Sequence, residues 1–163
     1  NEITFSDKSI NVTALNVPTN NLSTLSSRLL LFDTGIKRKS SLVLAKQKKA
    51  YTENRFETTK KLVSLVPDMK LALIEDIDLV GEILHESWKI KKSIVSEISN
   101  DFIDEHYQRA ITNGALGGKI CGAGAGGFFL FYAKEENHEK LRKSLSNLRE
   151  LEFNLDYEGA TLL

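Results

Sequence analysis

The chain has 163 residues, 41% apolar and 27% charged, and its 22 basic and 22 acidic side chains leave a formal net charge of zero. That composition is ordinary for one globular domain with enough apolar material for a core, and the balanced charge argues against a nucleic-acid binder. The single cysteine, Cys121, excludes an internal disulfide framework and suits a reducing cytoplasm, and no apolar run reaches the length of a membrane span.

Residues 2–6 and 10–15 alternate apolar and polar around Ser6-Asp7-Lys8-Ser9, the pattern of a β-hairpin with a short polar turn. A polar stretch with Pro18 and Asn20-Asn21 is followed by an apolar strand, Leu29 to Phe32, closed by Thr34-Gly35. From Ser40 to Val66 the composition is helical, with Pro67 as its stop. A second helix is expected from about Leu71 to Ser96, striped by Leu73, Ile77, Val80, Leu84 and Trp88. A third begins at the capping cluster Ser99-Asn100-Asp101 and ends at Asn113-Gly114. After a glycine-rich loop come a strand from Phe128 to Ala133, a helix striped by His138, Leu141, Leu145 and Leu148, and an alternating strand at Leu151, Phe153 and Leu155. Strands mixed with long helices predict an α+β domain with helices packed on one face of a mainly antiparallel sheet. The basic runs Lys37-Arg38-Lys39, Lys46 to Lys49 and Lys89 to Lys92 read as solvated faces.

The segment from Gly114 to Gly127 holds seven of the ten glycines. Glycine serves where the backbone needs positive φ or a close approach, and successive exposed N–H groups in such a turn make an anion-binding concavity. Lys119 places a cation beside it. Gly122, Gly124 and Gly127 satisfy G-x-G-x-x-G, but that fingerprint must follow a strand and open a helix, and here the order is inverted. Gly118-Lys119 is followed by Ile120 rather than Ser or Thr, which excludes a Walker A loop. A tight structural turn entering a buried strand is the competing reading.

This loop resembles the third signature motif of the superfamily of galactokinase, homoserine kinase, mevalonate kinase and phosphomevalonate kinase (the GHMP kinases). Leu31 to Ile36 with Arg38 and Ser40, His85-Glu86-Ser87-Trp88 with Lys91-Lys92, and Ile98-Ser99-Asn100 with Ile103-Asp104 narrow the resemblance to the D-glycero-D-manno-heptose 7-phosphate kinases, with fucokinases as close relatives. The resemblance covers nearly the whole chain. It implies that residues 1–163 are a C-terminal domain with a ferredoxin-like sheet, from a two-domain kinase that moves the γ-phosphate of ATP, with magnesium, to the anomeric hydroxyl of a heptose 7-phosphate. The family's ATP-binding loop, P-x-x-x-G-L-G-S-S-[AS], and its catalytic aspartate belong to the N-terminal domain, and neither occurs in this sequence. The chain opens on Asn1 rather than methionine and reads as a piece of a longer polypeptide.

By this resemblance no catalytic residue and no metal ligand is expected in the chain, and the isolated chain is expected to be inactive. The loop contributes Lys119, Gly122, Ala123, Gly124, Ala125, Gly126 and Gly127 to the phosphate side of the site. Ala125 stands where many members have glycine, so a positive φ there would be strained. Arg38, Ser40 and Ser41 are candidates for the acceptor sugar or its phosphate, since guanidinium binds phosphate in bidentate fashion. Lys91 and Lys92, at the end of the second helix, are further acceptor-side candidates, and the spacing does not choose between them. His85 reads as a packed, hydrogen-bonded histidine, and His106 and His138 lack partners at metal-ligand spacing. The expected partners are a sugar phosphate and the N-terminal kinase domain, with neither nucleic acid nor membrane. A surface meant for that domain would be apolar and prone to homodimer contacts. Two alternatives stay open: a fucokinase-like or other sugar kinase, and a non-catalytic binding or regulatory module of the same fold.

Overall fold

The computed structural model describes residues 1–37, 53–94 and 96–156. The hairpin forms as read, β1 (Glu2–Phe5) against β2 (Ile10–Thr13), its turn closed by the Ser6 amide donating to the Ser9 carbonyl at 2.9 Å. The polar stretch that follows, to which the residue pattern assigns no element, is a helix, α1 (Thr19–Arg28). Its serines, threonines and asparagines are weak helix formers, and tertiary contacts override them. Leu25 packs into a cluster with Leu73 and Ile77, and the Asn21 side chain donates to the carbonyls of Leu73 and Ile74, both at 3.0 Å.

Strand β3 (Leu29–Asp33) leads towards the helix expected from Ser40, of which residues 40–52 lie outside the described part of the chain. Helix α2 (Glu53–Ile74) runs through Pro67 rather than stopping there. Proline removes one N–H and crowds the carbonyl four residues back, here that of Val63, and Val63 is exposed, so solvent can take that carbonyl. The long second helix is also two pieces. α2 ends at Ile74, and α3 (Leu79–Lys92) starts after a turn in which the Asp76 carboxylate accepts the Asp78 amide at 3.2 Å. Such local aspartate bonds compete with helix, and no glycine or proline marks the break. Helix α4 (Asp101–Thr112) begins as read: Asn100 caps it by accepting the Ile103 amide at 3.0 Å, and Gly114 beyond its end has φ +102°.

Residues after Gly114 correct the loop's extent. Ala115–Ile120 is a strand, β4, so the true loop is Cys121 to Gly127, leading into β5 (Phe128–Ala133). Helix α5 (His138–Ser144) is shorter than the leucine stripe implied, and β6 (Arg149–Leu151) stops before Phe153. The sheet order is β4-β5-β3-β6, antiparallel throughout. Helices sit between β3 and β4 and again between β5 and β6, which gives the expected α+β, ferredoxin-like arrangement.

On one sheet face, Leu30, Phe32, Ile120, Phe129 and Phe131 bury against Ile103 and Tyr107 of α4 and Leu141 of α5. A smaller cluster around Tyr132 and Val80 lies on the other side of β5 and joins α1, α2 and α3. Helix α3 serves both clusters: Val80 at its start belongs to the smaller and Trp88 near its end to the larger. It can do so because it lies directly on β4. A Cβ at Gly117 would stand 1.9 Å from the Gly81 carbonyl oxygen, and one at Gly81 would stand 2.5 Å from the Leu116 Cβ. Gly117 and Gly118 are therefore in the sequence to let a helix and an aromatic ring approach a strand, not to shape a turn.

At the opposite end, Asp78 pairs with Arg28 and, at 2.7 Å, with Lys134, while Tyr132 donates to the Ile77 carbonyl at 2.8 Å. Hydrogen bonds from Lys134 and Arg28 hold the Asp78 carboxyl below the usual carboxylate range.

Two outcomes are expected. Gly117→Ala destabilises the chain by about 3 kcal/mol and lowers the melting midpoint by on the order of 10 °C, because a backbone oxygen must move. A thermal melt within 2 °C of wild type would contradict that close contact. Asp78→Asn costs at most about 1 kcal/mol, since the pair is partly solvated. A depressed folded pKa contributes above the ordinary carboxylate value, so the wild-type advantage is full near pH 6 and disappears as pH falls below about 4. Paired urea titrations across that range check it, and an advantage that grows in acid would contradict it.

Candidate functional site

The loop from Cys121 to Gly127 is sewn to its surroundings on both sides. Its base closes where the Cys121 amide donates to the Phe128 carbonyl at 2.8 Å. On one flank, the Thr34 amide (2.9 Å) and hydroxyl (2.7 Å) both donate to the Gly127 carbonyl, and the Gly127 amide returns to the Ile36 carbonyl at 3.2 Å. On the other flank, the Ala125 amide donates to the Ile98 carbonyl at 2.7 Å. A Cβ on Gly124 would come within 2.8 Å of that same Ile98 oxygen, and one on Gly126 within 2.7 Å of the Ile36 oxygen. Gly124 (φ +100°) and Gly126 (φ +154°) also have backbone angles that side chains avoid. Ala125 sits at φ +66° and is fully buried, so the strain raised by its alanine is present, at about 1–2 kcal/mol, and is held there by the bond to Ile98.

Between the loop and the segment after β3 lies an open groove of about 450 Å³. Asp33, Gly35, Ile36 and Lys37 line one side, and Cys121 to Gly124, Gly126, Gly127 and Phe128 line the other. The amides of Gly122, Gly124 and Gly126 have no hydrogen-bond partner among the described residues. Unpaired amides in a turn of this kind attract anions. The one carboxylate on the groove among the described residues is already engaged, since Asp33 accepts the Gly35 amide at 2.8 Å and the Arg149 guanidinium at 3.3 Å.

Lys91, in the last turn of α3, reaches the loop and donates to the Gly122 carbonyl at 2.6 Å. Burial lowers its pKa and the nearby Lys119 charge adds to the effect, while burial raises that of Cys121 against the pull of both lysines. Lys92 is not brought to the loop. It pairs with Asp104 at 2.7 Å, across the start of α4. Arg38, Ser40 and Ser41 lie outside the described residues. His85 is a packed histidine as read, its Nδ1 2.8 Å from the Tyr107 hydroxyl. His106 is buried, with Nδ1 against the Phe102 carbonyl and Nε2 against the Asn147 amide nitrogen, each at 2.8 Å. The Ile98 anchor and the Thr34 and Ile36 flank were absent from the candidate residues, because a carbonyl acting as a loop anchor leaves no signal in residue type. Thr34-Gly35 beside the strand end was the nearest available clue.

Residues 68–150 match the family model described as GHMP kinases C terminal. The chain is 34% identical over 143 residues to the D-glycero-alpha-D-manno-heptose 7-phosphate kinase of Campylobacter jejuni, covering 86% of this chain and 42% of that protein. It is 32% identical to the bifunctional fucokinase/GDP-fucose pyrophosphorylase of Arabidopsis thaliana, over 80% of this chain and 13% of that protein. Among solved structures, the Methanococcus jannaschii mevalonate kinase shares the fold with a TM-score of 0.68 at 21% identity, covering 91% of this chain and 45% of that one. The chain thus spans less than half the length of these kinases. Sheet order, the glycine loop entering β5 and these matches agree that the chain belongs to the GHMP kinase C-terminal family.

Proposed function

We propose that this chain is the substrate-side domain of an ATP- and magnesium-dependent sugar kinase acting on D-glycero-D-manno-heptose 7-phosphate at the anomeric hydroxyl. The observation that carries the reading is the groove, lined by three glycines whose amides have no partner among the described residues and by a carboxylate, Asp33, that is already engaged. Phosphoryl transfer needs little from a protein beyond positioning and stabilisation of charge spread over phosphoryl oxygens, and unpaired amides with nearby lysines supply one wall of such a site. Similarity to the Campylobacter heptose kinase supports the acceptor. A fucose acceptor is the second reading, supported by similarity to the Arabidopsis fucokinase.

The remaining wall, with the ATP loop and the catalytic group, belongs in this proposal to a preceding N-terminal domain. The hairpin is a natural part of the contact. Ile3 and Val12, and Phe5 and Ile10, are opposed pairs, so the register places all four on one face, where they are 53%, 61%, 73% and 65% exposed. An apolar face this open is a contact surface awaiting a partner.

Three results test the reading together. The isolated chain, mixed with ATP, magnesium and heptose 7-phosphate, releases no ADP, whereas the full-length polypeptide phosphorylates the sugar. Gly124→Ala in the full-length protein, which drives a Cβ against the Ile98 carbonyl, lowers kcat/KM by about 100-fold through misplacement of the loop. Steady-state kinetics with heptose 7-phosphate and fucose as competing acceptors decide the substrate. Turnover by the isolated chain, or full-length protein that accepts neither sugar, would overturn the assignment.

A further inference from the structure

Three lysines occupy the last turn of α3, and two of them are neutralised. Lys89 pairs with Glu86 at 2.8 Å and Lys92 with Asp104 at 2.7 Å. Lys91 has no carboxylate among the described residues and reaches instead for the Gly122 carbonyl at 2.6 Å. That bond uses one of three ammonium donors. On β4, Lys119 is half-buried and likewise has no ion-pair partner among the described residues. Lys119 stands two residues before Cys121 on the strand that α3 lies against, and its charge adds to the burial that lowers the pKa of Lys91.

Two partly buried like charges side by side are unfavourable unless something negative joins them. Among the described residues no free carboxylate stands there. Asp33, across the groove, is held by the Gly35 amide and Arg149, and Asp104 and Glu86 are taken by the neighbouring lysines. The Gly122 amide, beside the carbonyl that Lys91 holds, has no partner among the described residues.

We propose that Lys91 and Lys119 form a two-lysine subsite at the Gly122 end of the groove that takes a phosphate monoester. In the kinase reading this is the phosphate that the sugar acceptor already bears, which leaves the loop amides for the group in transfer. Only the identity of the phosphate's bearer rests on that reading; the anion subsite rests on the lysines. Lys91 has a second part in it. By holding the Gly122 carbonyl it fixes the first turn of the loop, so it is both an anion ligand and a positioning residue, whereas Lys119 is a ligand alone.

Cys121 is the chain's single cysteine, stands next to Gly122 on the groove and feels the charge of both lysines, so its alkylation by uncharged iodoacetamide reports on this spot. Inorganic phosphate is expected to slow the reaction saturably in the wild-type chain. Lys119→Met, which leaves the Lys91–Gly122 bond in place, weakens the apparent phosphate affinity by about tenfold, as does Lys91→Met, and arginine at either position restores it. Thermal melts of each variant confirm that the fold is kept. Absence of saturable protection in the wild type, equal protection by chloride at matched ionic strength, or methionine variants with unchanged phosphate affinity would each overturn the subsite. The full-length polypeptide separates this failure from failure of the kinase reading. Phosphate binding through both lysines without sugar phosphorylation sinks the kinase and keeps the subsite. Sugar phosphorylation whose KM for heptose 7-phosphate ignores Lys119→Met, with phosphate protection of Cys121 intact, keeps the kinase and the subsite and overturns the assignment of its occupant to the acceptor's phosphate.

Discussion

The site depends on one carbonyl. Ile98, in the short 3-10 turn Ser96–Ile98, accepts the buried Ala125 amide and stands so near Gly124 that no side chain fits between. That bond holds an alanine in a left-handed conformation that it would leave if free. With Thr34 and Ile36 pulling from the other flank, the loop has a single course, and the amides of Gly122, Gly124 and Gly126 are left without partners among the described residues. The strain at Ala125 is small against the cost of a groove whose donors point in no fixed direction. A preorganised set of donors is what phosphoryl transfer requires, since donors that must reorient lose most of their effect.

The same logic extends outward to the packing of α3 on β4. Gly81 and Gly117 let the helix backbone touch the strand, and Trp88, fully buried among Tyr107 and the sheet aromatics, fixes the helix near its end. The last turn of α3 therefore arrives at the loop in one position, with Lys91 against Gly122. A looser helix would still bury Val80 and Trp88. It would not place an ammonium on a chosen carbonyl. The core in this region thus has two jobs, and the smaller cluster around Tyr132, clamped by Asp78 between Arg28 and Lys134, anchors the start of the same helix.

Much of this was legible in residue patterns because it depends on local rules. The hairpin, β3, the Asn100 cap and the α4 terminus follow from alternation, capping and turn chemistry acting over a few residues. The misreadings share a different cause. Helix α1 forms although its residues disfavour helix, because Leu25 and Asn21 find partners some fifty residues away. Pro67 sits inside α2, where an exposed face tolerates it, and the break between α2 and α3 comes from an aspartate bonding its own backbone. Gly117 and Gly118 were assigned to the loop when they are strand residues, since a glycine for close approach and a glycine for positive φ look alike in a sequence. At the site, spacing left Lys91 and Lys92 equivalent, and only Asp104 separates them, by taking one. The strain at Ala125 was readable from the family pattern; the carbonyl that sustains it was not.

The account's central claim is that the loop's unpaired amides form an anion-binding wall, and backbone amide spectroscopy tests it most directly. Titrating the nitrogen-15-labelled chain with inorganic pyrophosphate, against sodium chloride at equal ionic strength, should shift the amides of Gly122, Gly124 and Gly126 along one saturable curve while the β1–β2 hairpin stays unmoved. Shifts absent from these three glycines, or matched by chloride alone, would contradict it.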